Sequence, residues 1–158
     1  MAEIETEIPL LSQLLEMWVE VKESSEFPQA TIANSAAVLH ENLANVNWAG
    51  YYFWNEEVGE LILGPFVGKA ATVRIDPANG VVGHAFTAQE TVIVDDVHAF
   101  EGHIACDADS NAEIVLPITR ADGTRVGVLD IDSTELNRFS AQDKEDLEHF
   151  VQTLLQYI

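Results

Sequence analysis

A β-hairpin in the second half of the chain constrains the fold most. Two runs rich in β-branched residues, 113–119 and 124–132, are joined by four residues that end in Asp-Gly, a pair typical of short hairpin turns. In an antiparallel hairpin the start of one strand lies beside the end of the other. We therefore expect Glu113 to lie close to Asp130 and Asp132, which project from one face of the second strand. Because buried carboxylates need partners, these three acids either cap a loop at the sheet edge or face a polar pocket.

The rest of the chain predicts helices at both ends and further strands between them. Apolar positions at a 3–4 spacing predict two helices within residues 8–44 and one over 140–157, with a short helix over 84–87. Between residues 47 and 133, short β-rich segments follow one another mostly through hairpins. This order favours an α+β fold, in which helices cover one face of an antiparallel sheet. We predict that residues 1–158 form a single domain.

The charge of the chain excludes several classes of partner. Seven Lys and Arg residues against 27 Asp and Glu residues give a net charge of −20. Such a surface repels phosphate backbones and anionic lipids, so we expect no nucleic-acid binding and no membrane binding. A ligand that carries an ammonium group is better tolerated. The acidic start of the chain is unlike a secretory signal, and the single cysteine permits no internal disulfide, so we expect a cytoplasmic protein.

A polar segment over residues 95–113 holds Cys106 together with His98 and His103. A loop of this length is either disordered or functional, and its scattered apolar residues favour an ordered loop. Cys106 is then a buried small residue, a nucleophile or a metal ligand. A papain-like Cys-His hydrolase is poorly supported, because the surrounding acids raise the pKa of a thiol. A metal site of the cysteine, the two histidines and a carboxylate is conceivable, although the spacing matches no familiar motif.

Two aromatic residues of the first predicted strand could contribute to the same pocket as the acids. Trp48 and Tyr52 share one face of that strand, because side chains alternate between the two faces of a sheet. They are either part of the core or enclose an apolar or cationic group of a ligand. Three carboxylates placed close together also raise one another's pKa, so that one of them can stay protonated and serve as an acid.

Several short motifs, taken together and in this order, resemble a known family. They are LGPFVGK, GHIACD, SNAEIVLPI and GVLDIDS, supported by NWAGYY and DVHAF. From about Asn47 to Phe139 the chain resembles the free methionine-(R)-sulfoxide reductases, which are small GAF-domain enzymes. The resemblance implies a GAF fold, which is an antiparallel sheet of about six strands flanked by helices. It also implies reduction of the R-sulfoxide of free methionine, and not of methionine within a protein.

The resemblance also implies roles for individual residues. Cys106 corresponds to the catalytic cysteine, which attacks the sulfoxide sulfur and is left as a sulfenic acid when methionine departs. The residues that enclose the substrate correspond to Trp48, Tyr52, Glu113, Asp130 and Asp132, with the carboxylates receiving its ammonium. No bound cofactor and no metal are expected.

The chain departs from the family at two positions. Family members commonly carry two further cysteines, where this chain has Thr72 and Val82. Cys106 therefore has no second cysteine in the chain to resolve its sulfenic acid, and turnover needs an external thiol, either a small molecule or a thioredoxin-like protein. The alternative is a GAF domain without catalysis that binds a small amino acid or a related ligand. A homodimer through the N-terminal helices is also plausible.

Overall fold

A computed structural model describes residues 8–21, 26–102 and 108–158 as a six-stranded antiparallel sheet with helices on both faces. The helices are α1 Leu10–Val21, α2 Pro28–Asn42, α3 Gly80–Ala88 and α4 Ala141–Leu155. The strands are β1 Val46–Asn55, β2 Glu60–Val67, β3 Arg74–Ile75, β4 Val92–Val94, β5 Ala112–Thr119 and β6 Arg125–Ser133, in the spatial order β3-β2-β1-β6-β5-β4. The predicted α+β architecture with about six strands is confirmed. Within the described ranges, no helix combines the length and the apolarity that a membrane crossing requires.

The predicted hairpin forms β5 and β6. Glu113 pairs directly with Asp132, so the start of one strand does lie beside the end of the other. The Asp122 side chain accepts a hydrogen bond from the backbone N–H of Thr124 at 2.9 Å, and this contact lowers the pKa of its carboxyl. Gly123 follows with a φ of +90°, which a residue without a side chain adopts readily. The turn therefore sets the register that brings the acids together.

The main hydrophobic core lies on the face of the sheet that α1, α2 and α4 cover. Alternate residues of the three central strands point to this face, including Tyr51, Ile114 and Ile131, all fully buried. They pack against apolar side chains of the three helices, such as Leu15 and Phe150. Burying an aliphatic or aromatic side chain stabilises the fold by about 1.5–3 kcal/mol, so this layer supplies most of the stability.

Helix α3 lies on the opposite face, so the prediction that helices cover only one face was wrong. Its buried residues pack against Val115 and Val128 of the sheet. The helix also begins at Gly80 and not near residue 84. A side chain at Gly83 would place its Cβ only 2.7 Å from the carbonyl oxygen of Pro77, so this glycine allows the helix to pack closely on the turn before it. The glycine that this close packing requires was interpreted as part of a loop before the helix.

The last helix begins as its sequence predicts. The Ser140 side chain accepts a hydrogen bond from the backbone N–H of Asp143 at 3.1 Å, and the Asp143 carboxylate accepts one from the N–H of Ser140 at 2.9 Å. This reciprocal capping box satisfies two N–H groups that have no partner within the helix. Arg138 adds an ion pair to Asp143 at 3.0 Å.

Part of the exposed surface of α1 is apolar. Leu10, Met17 and Val21 are between 46% and 67% exposed. An apolar helix face of this kind suits contact with another protein surface. The homodimer through the N-terminal helices stays a prediction.

Candidate active site

A cleft lies on the α3 face of the sheet, between the central strands and the start of α3. Two groups of the predicted site residues, the acids and the aromatics, meet in it. Its lining consists of Trp48, Tyr52, Ile75, Gly80, Val81, Val82, Ser110, Glu113, Asp130 and Asp132.

The pairing of the strands explains why the three acids converge. On the central strand β6, Asp132 lies between Trp48 of β1 and Glu113 of β5, and Asp130 lies two residues back along the same strand. Each of the three carboxyl groups places an oxygen within 4.8 Å of the other two. Glu113 and Asp130 are only 3% and 6% exposed. These acids are thus removed from water and held by the most extensively paired part of the sheet.

Burial and mutual proximity favour a protonated carboxyl in the pair of Glu113 and Asp130. The pKa of Asp130 is raised well above its usual value of 3.8, first by burial, then by the nearby charge of Glu113 and by a hydrogen bond between the two carboxyl groups. Such a hydrogen bond requires that one of the two carries a hydrogen. In the part of the chain that the structure describes, Oδ1 of Asp130 has no hydrogen-bond partner. The pair can therefore accept a hydrogen bond from a ligand, or donate its shared proton to one.

An aromatic wall closes the side of the cleft formed by β1. The rings of Trp48 and Tyr52 are 2% and 1% exposed, and Phe66 stacks on Trp48 with the ring centroids 5.2 Å apart. Nε1 of Trp48 donates to the carbonyl oxygen of Lys69 at 3.0 Å, and the hydroxyl of Tyr52 donates to that of Thr72 at 2.9 Å. Because these polar ends are bonded to the main chain, the rings offer mainly apolar surface to a ligand.

Gly50 makes the aromatic wall possible. It lies between Trp48 and Tyr52 on β1 and pairs with Phe66 of β2. A Cβ at this position would lie 2.9 Å from Cη2 of Trp48 and 2.8 Å from the Cα of Phe66, and nearer still to the Cβ of Phe66. Carbon atoms in ordinary contact are about 3.5–4.0 Å apart, so any side chain at Gly50 would displace the wall.

Cys106 and His103 lie outside the described residues, but the chain on either side of them borders the cleft. Ser110 lines the cleft and is 4% exposed, and Nδ2 of Asn47 donates to its Oγ at 2.9 Å. On the other side, Gly102 lies near Gly80 at the start of α3. The cysteine is thus four residues from a described position at the cleft in both directions.

The acids also offer a possible set of ligands for a cation. Carboxylate oxygens suit Ca²⁺ or Mg²⁺, and these three lie close enough to contact one ion. The raised pKa of Asp130 favours a protonated carboxyl, and a metal ion would have to displace that proton. An ammonium group can be bound by one ionised carboxylate with that proton in place, and it therefore fits the described chemistry better.

The structure places five of the six predicted site residues around one cleft, and the sixth is Cys106. Sequence reasoning missed Ser110 and Ile75 as lining residues. Ser110 belongs to the motif SNAE, but its contact with Asn47 joins positions 63 residues apart, and no local pattern reveals such a contact. Val82 was singled out as one of the missing cysteines, and it does line the cleft.

Comparisons with known proteins agree with the fold and with the motifs. The family model of the GAF domain matches residues 29–158. The chain is 51% identical to Protein YtsP of Bacillus subtilis, over 90% of this chain and 87% of that protein. It is 48% identical to the free methionine-R-sulfoxide reductase of Escherichia coli, over 79% of this chain and 74% of that enzyme. The solved structure of the free methionine-R-sulfoxide reductase of Neisseria meningitidis in complex with its substrate superimposes with a TM-score of 0.84, at 37% identity, over 94% and 87% of the two chains.

Proposed function

Because the chain belongs to the free methionine-R-sulfoxide reductase family of GAF-domain proteins, we propose that it reduces the R-sulfoxide of free methionine to methionine. It is then an oxidoreductase that acts on a sulfur group. The observation that carries this proposal is the cluster of Glu113, Asp130 and Asp132 against an aromatic wall. A free amino acid has an ammonium group for the acids and an apolar side chain for the rings.

The acids explain the restriction to a free amino acid. Within a peptide, the nitrogen of methionine is an amide, which carries no charge and has a single N–H to donate. Binding a peptide would leave Asp130 and Asp132 without the ammonium while removing water from them. Leaving a buried polar group unsatisfied costs about 1–3 kcal/mol, and more when the group is charged. Such a cost corresponds to a discrimination of about fivefold or more for each group.

The reaction proceeds at the sulfur of Cys106. Its thiol attacks the sulfoxide sulfur while a proton reaches the sulfoxide oxygen, and the net result is a cysteine sulfenic acid and a thioether, methionine. The sulfoxide sulfur gains two electrons and the cysteine sulfur loses two, so the step is balanced without a metal or an organic cofactor. The proton shared by Glu113 and Asp130 is a suitable source for the oxygen, because a neutral carboxyl in the cleft can act as a general acid.

An external thiol completes the cycle. Cys106 is the only cysteine of the chain, and the positions of the family's further cysteines are Thr72 and Val82. One external thiol attacks the sulfenic acid, which releases water and leaves a mixed disulfide on Cys106. A second thiol releases the disulfide of the reductant and restores the thiol of Cys106. A small-molecule thiol and a thioredoxin-like protein both supply this chemistry.

A stoichiometry experiment tests the proposal. Reduced protein is mixed with each epimer of free methionine sulfoxide, and methionine is measured before and after addition of dithiothreitol. We expect one methionine per chain from the R epimer alone, then turnover once the dithiothreitol is present. The Cys106→Ser variant and a peptide-bound sulfoxide serve as controls and should give none. If the R epimer binds but yields no methionine, the catalytic proposal is wrong and a GAF domain that only binds an amino acid remains.

The source of the proton is tested separately. A carboxyl donor predicts that Glu113→Gln and Asp130→Asn change the pH dependence of the first methionine released, because each removes one member of the pair that holds the proton. Single-turnover rates should be measured across pH 5–9 under conditions in which binding is saturated. An unchanged pH profile in both variants would exclude the carboxyl donor and leave the thiol itself as the source.

A further inference from the structure

The hydroxyl of Ser110 has a donor on one side and the cleft on the other. The side chain is 4% exposed and lines the cleft, and its Oγ accepts a hydrogen bond from Nδ2 of Asn47 at 2.9 Å. A hydroxyl that accepts a hydrogen bond still has its own proton to donate. Among the described residues, no acceptor for the Ser110 proton is found. A buried hydroxyl that lacks an acceptor is poised to donate to a ligand.

The proposed substrate needs hydrogen-bond donors for its own acceptor groups. It brings two acceptor groups, an α-carboxylate and a sulfoxide oxygen, whereas ionised acids can only accept. Of the described side chains that line the cleft, the two aromatic donors, Trp48 and Tyr52, are already bonded to main-chain carbonyls. The basic side chain of the neighbouring Lys69 is drawn towards Asp109, with Nζ 3.5 Å from its carboxylate. Ser110 is then the side-chain hydroxyl available to the ligand.

The strand register places Ser110 at one end of the acid cluster. Asp132 pairs with Trp48 of β1. The residue before Trp48 is Asn47, and its side chain donates a hydrogen bond to Ser110. In a free amino acid the ammonium and the carboxylate are attached to the same carbon atom. A donor beside the acid that receives the ammonium is therefore placed to contact the carboxylate, whereas the sulfoxide lies several bonds away.

We propose that the hydroxyl of Ser110 donates a hydrogen bond to the α-carboxylate of the bound amino acid, and that Asn47 is the positioning residue that orients it. This inference rests on the proposed function, because it takes a free amino acid as the ligand. Both charged groups of the amino acid are then recognised. The acids bind the ammonium, and Ser110 binds the carboxylate.

Isothermal titration with methionine, which does not consume the Cys106 thiol, tests the inference in the full chain. Ser110→Ala should weaken methionine binding by about tenfold or more, the effect of losing a hydrogen bond to a charged group. Asn47→Asp should cause a similar loss, because the new carboxylate can only accept and therefore takes the Ser110 proton for itself. Neither variant should affect binding of 3-(methylthio)propylamine, which keeps the ammonium and the thioether but has no carboxylate.

A matched control is Ser35→Ala. Ser35 is also fully buried and hydrogen-bonded, to the hydroxyl of Tyr51 at 2.7 Å, but it lies in the core on the other face of the sheet. This variant should lower the thermal stability and leave methionine affinity unchanged. Thermal unfolding of all variants separates a loss of folded protein from a loss of affinity.

Three results would overturn the inference. Equal losses for methionine and for the amine would mean that Ser110 acts on the shape of the cleft and not on the carboxylate. Loss of affinity for the R-sulfoxide alone, measured in the Cys106→Ser background, would assign the hydroxyl to the sulfoxide oxygen. Unchanged affinity for both ligands would remove Ser110 from the site. If the unmodified protein binds neither methionine nor the sulfoxide, the proposed function itself fails, and the inference fails with it.

Discussion

Replacement of Gly50 by alanine tests whether the aromatic wall depends on a missing side chain. The added Cβ would lie 2.8 Å from the Cα of Phe66 and 2.9 Å from Cη2 of Trp48. These distances are about 0.6–1.2 Å shorter than ordinary carbon contacts. Gly50 and Phe66 are paired residues of neighbouring strands, so the overlap cannot be relieved without disturbing the ladder between β1 and β2. Overpacking of this kind costs about 1–3 kcal/mol, and we expect the upper end, about 3 kcal/mol.

The assay is thermal and urea unfolding followed by circular dichroism. For a domain of this size, about 3 kcal/mol corresponds to a fall in Tm of about 6–12 °C. The displaced Trp48 ring should also weaken methionine binding by up to about tenfold, as expected when one aromatic contact is lost. Gly123→Ala is the matched control, because its φ of +90° strains an alanine but its Cβ would meet nothing within 4 Å. We expect that variant to cost about 1–2 kcal/mol and to leave binding unchanged. A Gly50→Ala variant no less stable than Gly123→Ala would refute the reasoning.

Three further substitutions separate stability from recognition. Because the pKa of Asp130 is raised, the folded protein keeps a proton that the unfolded chain releases above about pH 4, so stability falls as the pH rises towards the folded pKa. Asp130→Asn should flatten this fall in urea unfolding between pH 4 and 8, and an unchanged slope would contradict it. Tyr52→Phe should cost about 1–2 kcal/mol, because the hydrogen bond to the carbonyl of Thr72 is lost, with little change in methionine affinity. A large loss of methionine affinity without a loss of stability would instead indicate that the Tyr52 hydroxyl donates to the ligand. Ser140→Ala should cost about 1 kcal/mol through the lost cap of α4 and leave activity intact; reduced activity would link this helix to the site.

The parts of the site that lie on regular strands could be predicted from the sequence, because two local rules determine them. The Asp-Gly turn sets the register of the hairpin, and the alternation of side chains puts Asp130 and Asp132 on the same face as Glu113. The same alternation puts Trp48 and Tyr52 together. These rules operate over a few residues, and their outcome does not depend on the rest of the fold.

The remaining features depend on contacts between distant parts of the chain. The start of α3 was misplaced because Gly83 is required by its contact with Pro77, and a local pattern cannot distinguish that requirement from loop flexibility. The bond between Asn47 and Ser110 forms only after the sheet has assembled. The shared proton likewise follows from burial, which the sequence indicates only for the carboxylates as a group. The catalytic role of Cys106, the external reductant and the cytoplasmic location stay predictions.

The position of the acids at the centre of the sheet links substrate choice to folding. Strands β1 and β6 are the two middle strands, and the backbone amides of Asp130 and Asp132 lie in the ladders between β6 and its neighbours. Amides in such a position generally exchange with solvent hydrogen only when the whole domain unfolds. The backbone that carries the groups proposed to hold the ammonium therefore resists local opening. A different ligand preference therefore requires substitution of these acids. Each such substitution also alters the stability of the central strands.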